Sequence, residues 1–198
     1  MAKQRQMSLS ACLVVSLVTC QSLQGAQPDL KPPHIRFDNE RISEVFRYAQ
    51  KKSPSFEDLV TTLELQDRVV YIEEGRCPHP EVSSCLQLMS TSSGRNIQIR
   101  VDPRQAINLV VARLAHELFH ASEIAREPDV IDTASLRTLY ERIGYRNKAC
   151  FNTPEDCWET RAAVVFETLV TMQLNGAGDA GPFLRRLPMS QPSVREVR

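Results

Sequence analysis

The sequence predicts an α+β fold in which a small antiparallel sheet packs on a buried helix, with further helices before and after them. Apolar residues recur at helical spacing in five segments, and three short β-branched or alternating segments lie between the second and the third of these. One helical segment, residues 104–125, is apolar around most of its circumference, as expected for a helix inside a core. The chain has 198 residues, which suits one domain with its own core.

The predicted helices begin and end at ordinary boundary signals. They cover residues 40–52, 55–65, 104–125, 133–143 and 157–174. Pro128 follows the third helix, Gly144 closes the fourth and Gly176 ends the fifth. A proline-rich lead-in at residues 27–36 and a tail at residues 177–198 show no period, so we expect a single domain over residues 27–176 with a flexible tail after it.

Three strands are predicted between the second and third helices. They cover residues 68–72, 85–91 and 96–101, and the last of them alternates strictly between polar and apolar residues. A polar turn at residues 92–95 joins the last two strands. We therefore expect a small antiparallel sheet immediately before the apolar helix.

The first 26 residues have the order of a secretory signal peptide. Lys3 and Arg5 form a basic start, residues 11–20 form an apolar run too short to span a bilayer, and small residues follow. We expect residues 1–26 to be removed and the product to be secreted or periplasmic. A lipid anchor at Cys20 is an alternative, and no other segment approaches the ~18 apolar residues of a membrane span.

Composition excludes some classes of partner. The 24 basic and 24 acidic residues cancel, and no basic block exceeds two consecutive charges. Nucleic acids and anionic membrane surfaces attract chains with basic patches, so neither is an expected partner.

Four cysteines remain once the signal peptide is removed. They are Cys77, Cys85, Cys150 and Cys157. An even number in an exported chain favours two disulfides, and the spacing favours the local pairs Cys77–Cys85 and Cys150–Cys157. A four-cysteine zinc site would need paired cysteines about two to four residues apart, and these pairs are more widely spaced.

The apolar helix carries one polar stripe, in the segment His116-Glu117-Leu118-Phe119-His120. At helical spacing the two histidines lie about 40° apart, and Glu117 flanks the same sector. Burial of two imidazoles and a carboxylate is costly unless they are paired or bound to a metal. The pattern therefore favours a metal site over two histidines that merely find partners in a core.

This HELFH segment, following a strand that ends NIQIRV, resembles the active-site helix of the zincin metallopeptidases. The resemblance covers five residues and the order of elements from about residue 68 to residue 170. It implies one Zn²⁺ per chain bound by His116 and His120, and Glu117 as the general base for attack of a zinc-bound water on a peptide bond. It also implies a zincin-like fold and a peptide or protein substrate.

The third zinc ligand has to come from elsewhere. In the metzincin branch a glycine and a histidine would stand where this chain has Glu123 and Arg126. The gluzincin branch uses a glutamate from a later helix, and Glu159, in the pattern E-x-x-x-A, matches it at the start of the last predicted helix. Glu167, two turns further on, is the next choice, and Glu123 is either an outer partner of a histidine or an alternative ligand.

Supporting groups are also expected near the metal. Asp129 or Asp132 could orient a histidine, because Ala163 stands where many gluzincins carry an aspartate. Tyr140, Tyr145 and Arg161 are candidate donors to the developing oxyanion. The oligomeric state is not predicted.

The function expected from the sequence is an exported zinc-dependent metallopeptidase. One alternative is a non-catalytic zincin-like binding module, and another is a zinc amidase acting on a non-protein amide such as cell-wall peptide. Peptide deformylase also has an HExxH helix, with a cysteine as third ligand, and Glu74-Gly75-Arg76-Cys77 faintly resembles its cysteine segment.

Overall fold

A computed structural model describes residues 33–79, 81–91, 94–147 and 157–176. The predicted signal peptide and the predicted tail lie outside these residues. The elements, in chain order, are β1 (Ile35–Phe37), α1 (Glu40–Lys52), α2 (Pro54–Glu64), β2 (Val69–Glu74), β3 (Ser84–Thr91), β4 (Gly94–Val101), α3 (Ile107–Ala125), α4 (Thr133–Ile143), β5 (Tyr145–Arg146), β6 (Trp158–Glu159) and α5 (Arg161–Leu174).

The first two helices begin at side-chain caps. The Asn39 side chain accepts a hydrogen bond from the backbone N–H of Ile42 at the start of α1, and Ser53 does the same for Phe56 in α2. Pro54 occupies the first turn of α2, where its missing N–H costs no intrahelical bond. Both predicted helices are confirmed to within one residue at either end.

The main sheet is mixed, so the prediction of an antiparallel sheet is wrong. Its order is β1-β2-β4-β3, with β1 and β4 both parallel to β2 and only β3 and β4 antiparallel. The chain leaves β2, forms the outer strand β3 and turns back, so that β4 returns between the two and runs along β2. The strand β1 lies partly in the lead-in predicted to be irregular, and its three residues pair with β2.

One face of this sheet and the helix α3 form the centre of the core. Val70, Ile72, Ile97 and Ile99 alternate along β2 and β4 and are almost completely buried. The helices α1, α2 and α5 also pack on α3, whose apolar residues belong to the same cluster. α3 is therefore surrounded by other elements, as its apolar circumference predicts.

One of the two predicted disulfides lies within the described residues. Cys77 and Cys85 form a disulfide, which confirms the first predicted pair, whereas Cys150 lies outside the described residues and the second pair stays a prediction. The Cys77–Cys85 bond also leaves Cys77 unavailable as a metal ligand, which counts against a deformylase-like site and a four-cysteine zinc site.

Among the described residues, no helix combines the length and apolar character needed to cross a membrane.

Candidate metal centre

The polar stripe of α3 faces the protein interior. His116, Glu117 and His120 are each less than a tenth exposed. The two histidines lie one turn apart, with ring centroids separated by 4.9 Å. The helix therefore brings both imidazoles to one place, as their spacing predicts.

Glu159 lies between the two imidazoles. Its Oε2 is 3.2 Å from Nε2 of His116, and its Oε1 is 3.3 Å from Nε2 of His120. One donor atom from each of these three residues lies within 4.8 Å of the other two, so the group could hold a metal ion. All three side chains are buried.

Glu159 is held by a strand and not by a helix, which corrects the predicted start of the last helix. It belongs to β6, where it pairs with Tyr145 of β5, and Thr160 then caps α5. A β-carbon added to Gly144 would lie 2.6 Å from the Glu159 carbonyl oxygen. The glycine that ends α4 therefore lets the backbone of Glu159 approach closely.

The outer ring nitrogens of the histidines face two further glutamates. Nδ1 of His120 forms a 2.7 Å hydrogen bond with Glu123, and Nδ1 of His116 lies 2.9 Å from Glu167. A carboxylate hydrogen-bonded to Nδ1 fixes the ring with the lone pair of the neutral imidazole on Nε2, the atom that faces Glu159. Glu123 makes such a bond to His120, whereas the contact of Glu167 with His116 is close but lacks hydrogen-bond geometry. Both glutamates therefore lie where partners that orient metal-binding histidines are found.

The position of Glu167 follows from how α5 packs. Contacts pair Thr160 with Glu123, Glu167 with Arg113, and Asn175 with Asn108, so α5 runs antiparallel to α3. Two turns along α5 from Thr160 thus lead back along α3 from Glu123 to the level of His116.

The expectation that Asp129 or Asp132 orients a histidine is not supported. Asp132 caps α4 through a hydrogen bond from the backbone N–H of Ser135. The carboxylates found against the two rings are those of Glu123 and Glu167.

The buried histidines and glutamates of this cluster shift one another's pKa values. Burial alone would lower the pKa of His116, but contacts with Glu159 and Glu167 raise it to about 10. Burial likewise opposes protonation of His120, whose pKa is nevertheless raised to about 9 through Glu123 and Glu159. The pKa of Glu159, which burial would raise, falls to about 2 because of the two histidines. The surroundings of the two histidines therefore favour positive charge.

Glu117 is the fourth carboxylate at this place. Its Oε1 accepts a 2.7 Å hydrogen bond from the hydroxyl of Ser84, the first residue of β3, and both side chains are buried. Its charge adds to the rise in the pKa of His116 and His120, after the larger effects just described, so it lies near both rings. No sequence pattern indicates that Ser84 contacts Glu117; the residue is marked only by its place next to Cys85.

The candidate oxyanion donors lie at the edge of the group. Tyr140 is buried with its ring edge-on to His120 at 5.4 Å between centroids, and burial keeps the pKa of its hydroxyl well above the usual value. Tyr145 is half exposed and lies opposite Glu159 in the small hairpin. Arg161 is exposed in the first turn of α5. Tyr140 is thus the candidate closest to the histidines by contact.

The chemistry of the donors fits a divalent transition metal. Two imidazole nitrogens and one carboxylate form a common ligand set for catalytic zinc and for non-haem iron, whereas calcium and magnesium prefer oxygen ligands. Nε2 of His120 is fully buried and, despite its 3.3 Å approach to Glu159, makes no hydrogen bond of acceptable geometry. A cation between these atoms would satisfy that nitrogen.

Comparison with known proteins adds no relative. No family model matches the chain, and neither the curated proteins nor the solved structures contain a significant match.

Proposed function

We propose that this chain is an exported zinc-dependent hydrolase of peptide bonds, with Glu117 as its general base. The observation that carries the proposal is the convergence of His116, His120 and Glu159 beside the buried carboxylate of Glu117. A purely structural metal site usually has four protein ligands, whereas three ligands with a nearby base are typical of catalytic sites.

The three residues of the buried cluster would hold the ion through Nε2 of His116, Nε2 of His120 and the carboxylate of Glu159. Zinc bound by three such ligands lowers the pKa of water to about 7 and polarises a carbonyl group. Glu123 and Glu167 would keep the two rings in the orientation that this requires.

Glu117 would move the proton. Ser84 donates to Oε1, and Oε2 would accept the proton from the attacking water. The same carboxyl group can then donate that proton to the leaving nitrogen, as a general acid. The hydroxyl of Ser84 fixes the carboxylate in place while this happens.

The edge of the sheet supports a peptide as substrate. Among the described residues β3 pairs with β4 alone, so its outer edge can bind an extended chain through backbone hydrogen bonds. Ser84 begins this strand and contacts Glu117, so a peptide bound along β3 would pass close to the base. Export is supported by the Cys77–Cys85 disulfide, since such bonds persist in oxidising compartments.

The first experiment measures metal and activity on the same samples. The chain from residue 27 onward is purified, its zinc content is measured, and it is tested against a library of quenched fluorescent peptides, together with Glu117→Gln. We expect about one zinc in both proteins and cleavage only by the parent, because the amide of glutamine cannot accept the proton. Equal cleavage by the two proteins would show that Glu117 is not the base.

Two other outcomes separate the alternatives. A parent that binds zinc and cleaves soluble peptidoglycan fragments but no peptide is a cell-wall amidase. A parent that binds zinc and cleaves neither substrate set is a binding module. His116→Ala with His120→Ala provides the control for metal content, since the double variant should lose the ion; full retention of zinc would overturn the metal site itself.

A further inference from the structure

Thr160 is a small buried residue placed between the metal centre and the last helix. It follows Glu159 directly and precedes α5, and it is 2% exposed. Its hydroxyl oxygen accepts a hydrogen bond of 3.1 Å from the backbone N–H of Ala163, which makes Thr160 the cap of α5. Sequence patterns single out Glu159 and Ala163, and they assign no role to Thr160.

The same hydroxyl also reaches the metal centre. It donates a hydrogen bond of 2.9 Å to Oε1 of Glu123, whose other oxygen, Oε2, is hydrogen-bonded to Nδ1 of His120. A hydroxyl group has a single proton, and here that proton is directed to Glu123 while a lone pair serves the helix. One atom therefore caps α5 and orients the carboxylate that orients His120.

The backbone of Thr160 closes this set of contacts into a ring. Its N–H donates a hydrogen bond of 2.8 Å to Oε1 of Glu159, the oxygen that lies 3.3 Å from Nε2 of His120. The ring thus runs from Thr160 through Glu123 and His120 to Glu159 and back to Thr160. Both side chains that contact His120 within this ring depend on the position of one residue.

We infer that Thr160 is a positioning residue that couples the start of α5 to the metal centre. The inference rests on the proposed function, because it takes His120 and Glu159 as zinc ligands. The Thr160 hydroxyl contributes to zinc affinity through Glu123, in addition to its contribution to helix stability. A residue that only capped the helix would contribute to stability alone.

Two substitutions of Thr160 and one control separate these roles. Thr160→Val keeps the shape and the backbone N–H but removes the hydroxyl, whereas Thr160→Ser keeps the hydroxyl. Asn39→Ala removes the cap of α1, and the Asn39 side chain contacts Ile42 and Glu74 but none of the proposed ligands. Zinc affinity is measured by competition with a chromophoric chelator, and thermal unfolding is measured on the metal-free proteins.

We expect Asn39→Ala and Thr160→Val to lower the melting temperature of the metal-free protein by roughly a few degrees for the lost cap. The decrease should be larger for Thr160→Val, because this variant also loses the hydrogen bond to Glu123. Only Thr160→Val should also weaken zinc binding, by about 10–100-fold, the usual effect of losing an outer partner of a metal ligand. Thr160→Ser should restore both quantities. Should the valine variant not fold, Thr160→Ala removes the same hydroxyl with a smaller side chain.

A double-mutant cycle tests the route through Glu123. If Thr160 acts through that carboxylate, Thr160→Val should weaken zinc binding far less in a Glu123→Ala background than in the parent. Parental zinc affinity in Thr160→Val, with the melting temperature lowered as in Asn39→Ala, would overturn the inference and leave Thr160 as a cap. A parent protein that fails to compete with the chelator instead refutes the zinc site itself, and this outcome is recognised in the parent alone, without reference to the Thr160 variants.

Discussion

Gly144→Ala should weaken zinc binding although the new methyl group touches no proposed ligand atom. The backbone of Gly144 is extended, with φ of −124° and ψ of −164°, so an alanine can adopt it without torsional strain. The obstacle is space. The β-carbon would lie 2.6 Å from the carbonyl oxygen of Glu159 and 3.1 Å from that of Tyr140.

The size of the effect follows from these distances. Ordinary contact for a β-carbon begins near 3.4 Å, so relief requires a backbone movement of about 0.8 Å. The helix end at Tyr140 resists movement, and the two-residue strand β6 is the easier part to displace. Metal–ligand distances vary by only about 0.2 Å between good sites, so such a shift in Glu159 should reduce zinc affinity by ~10-fold or more. Overpacking should also lower the free energy of unfolding by about 1–3 kcal/mol.

The assay pairs this variant with another glycine substitution. A β-carbon on Gly75 meets only Cδ of Arg100, at 3.7 Å, so Gly75→Ala introduces the same methyl group without a clash. Both variants are titrated against a zinc chelator, and both are unfolded by heat without metal. Unchanged affinity in a folded Gly144→Ala protein would refute the idea that this close approach sets the position of Glu159.

Two further predictions concern the charged groups of the site. Glu159→Ala should weaken zinc binding well beyond the roughly 10–100-fold expected for Glu167→Ala. The first substitution removes a proposed ligand, whereas the second removes a carboxylate next to His116 Nδ1. Competition with a chelator ranks the two variants, and the reverse order would contradict the ligand assignment. In the metal-free protein the histidine pKa values are raised from 6.5 to about 10 for His116 and about 9 for His120, so their contribution to stability is complete below pH 6.5 and is lost as the pH rises through 9 and 10. Thermal unfolding after chelation should show this decline in the parent but much less of it in His116→Gln with His120→Gln, and equal profiles would count against the ion pairs.

The helices could be predicted from the sequence because their signals are local. Periodic apolar residues and caps such as Ser53 lie within the segment that they define. The sheet was harder to predict, since alternation identifies a strand but carries no information about its neighbour. The hairpin of β3 and β4 needs only a short turn, whereas the parallel pairing of β2 with β4 depends on where the chain returns after β3.

The candidate site divides in the same way. The HExxH spacing by itself predicts that His116 and His120 share one face of a helix, because residues four apart lie one turn from each other. The roles suggested here for Glu167 and Ser84 depend on the antiparallel packing of α5 on α3 and on the register of β3, neither of which leaves a local pattern. Thr160 is an intermediate case, since a threonine before a helix is a recognisable cap but its contact with Glu123 is not.

Two of the proposed ligands lie on one helix, and the third lies on a short strand much further along the sequence. This separation determines when a folding molecule can bind an ion tightly. Helix formation brings His116 and His120 together within microseconds or less, since it needs only neighbouring residues. Glu159 joins them only when β6 docks, which requires the chain between α3 and β6 to close into a loop. A nascent chain that ends with α4 therefore carries both imidazoles and Glu117 but only two of the three ligands. On this assignment tight ion capture requires β6 to dock, and undocking of β6 removes the third ligand from the ion.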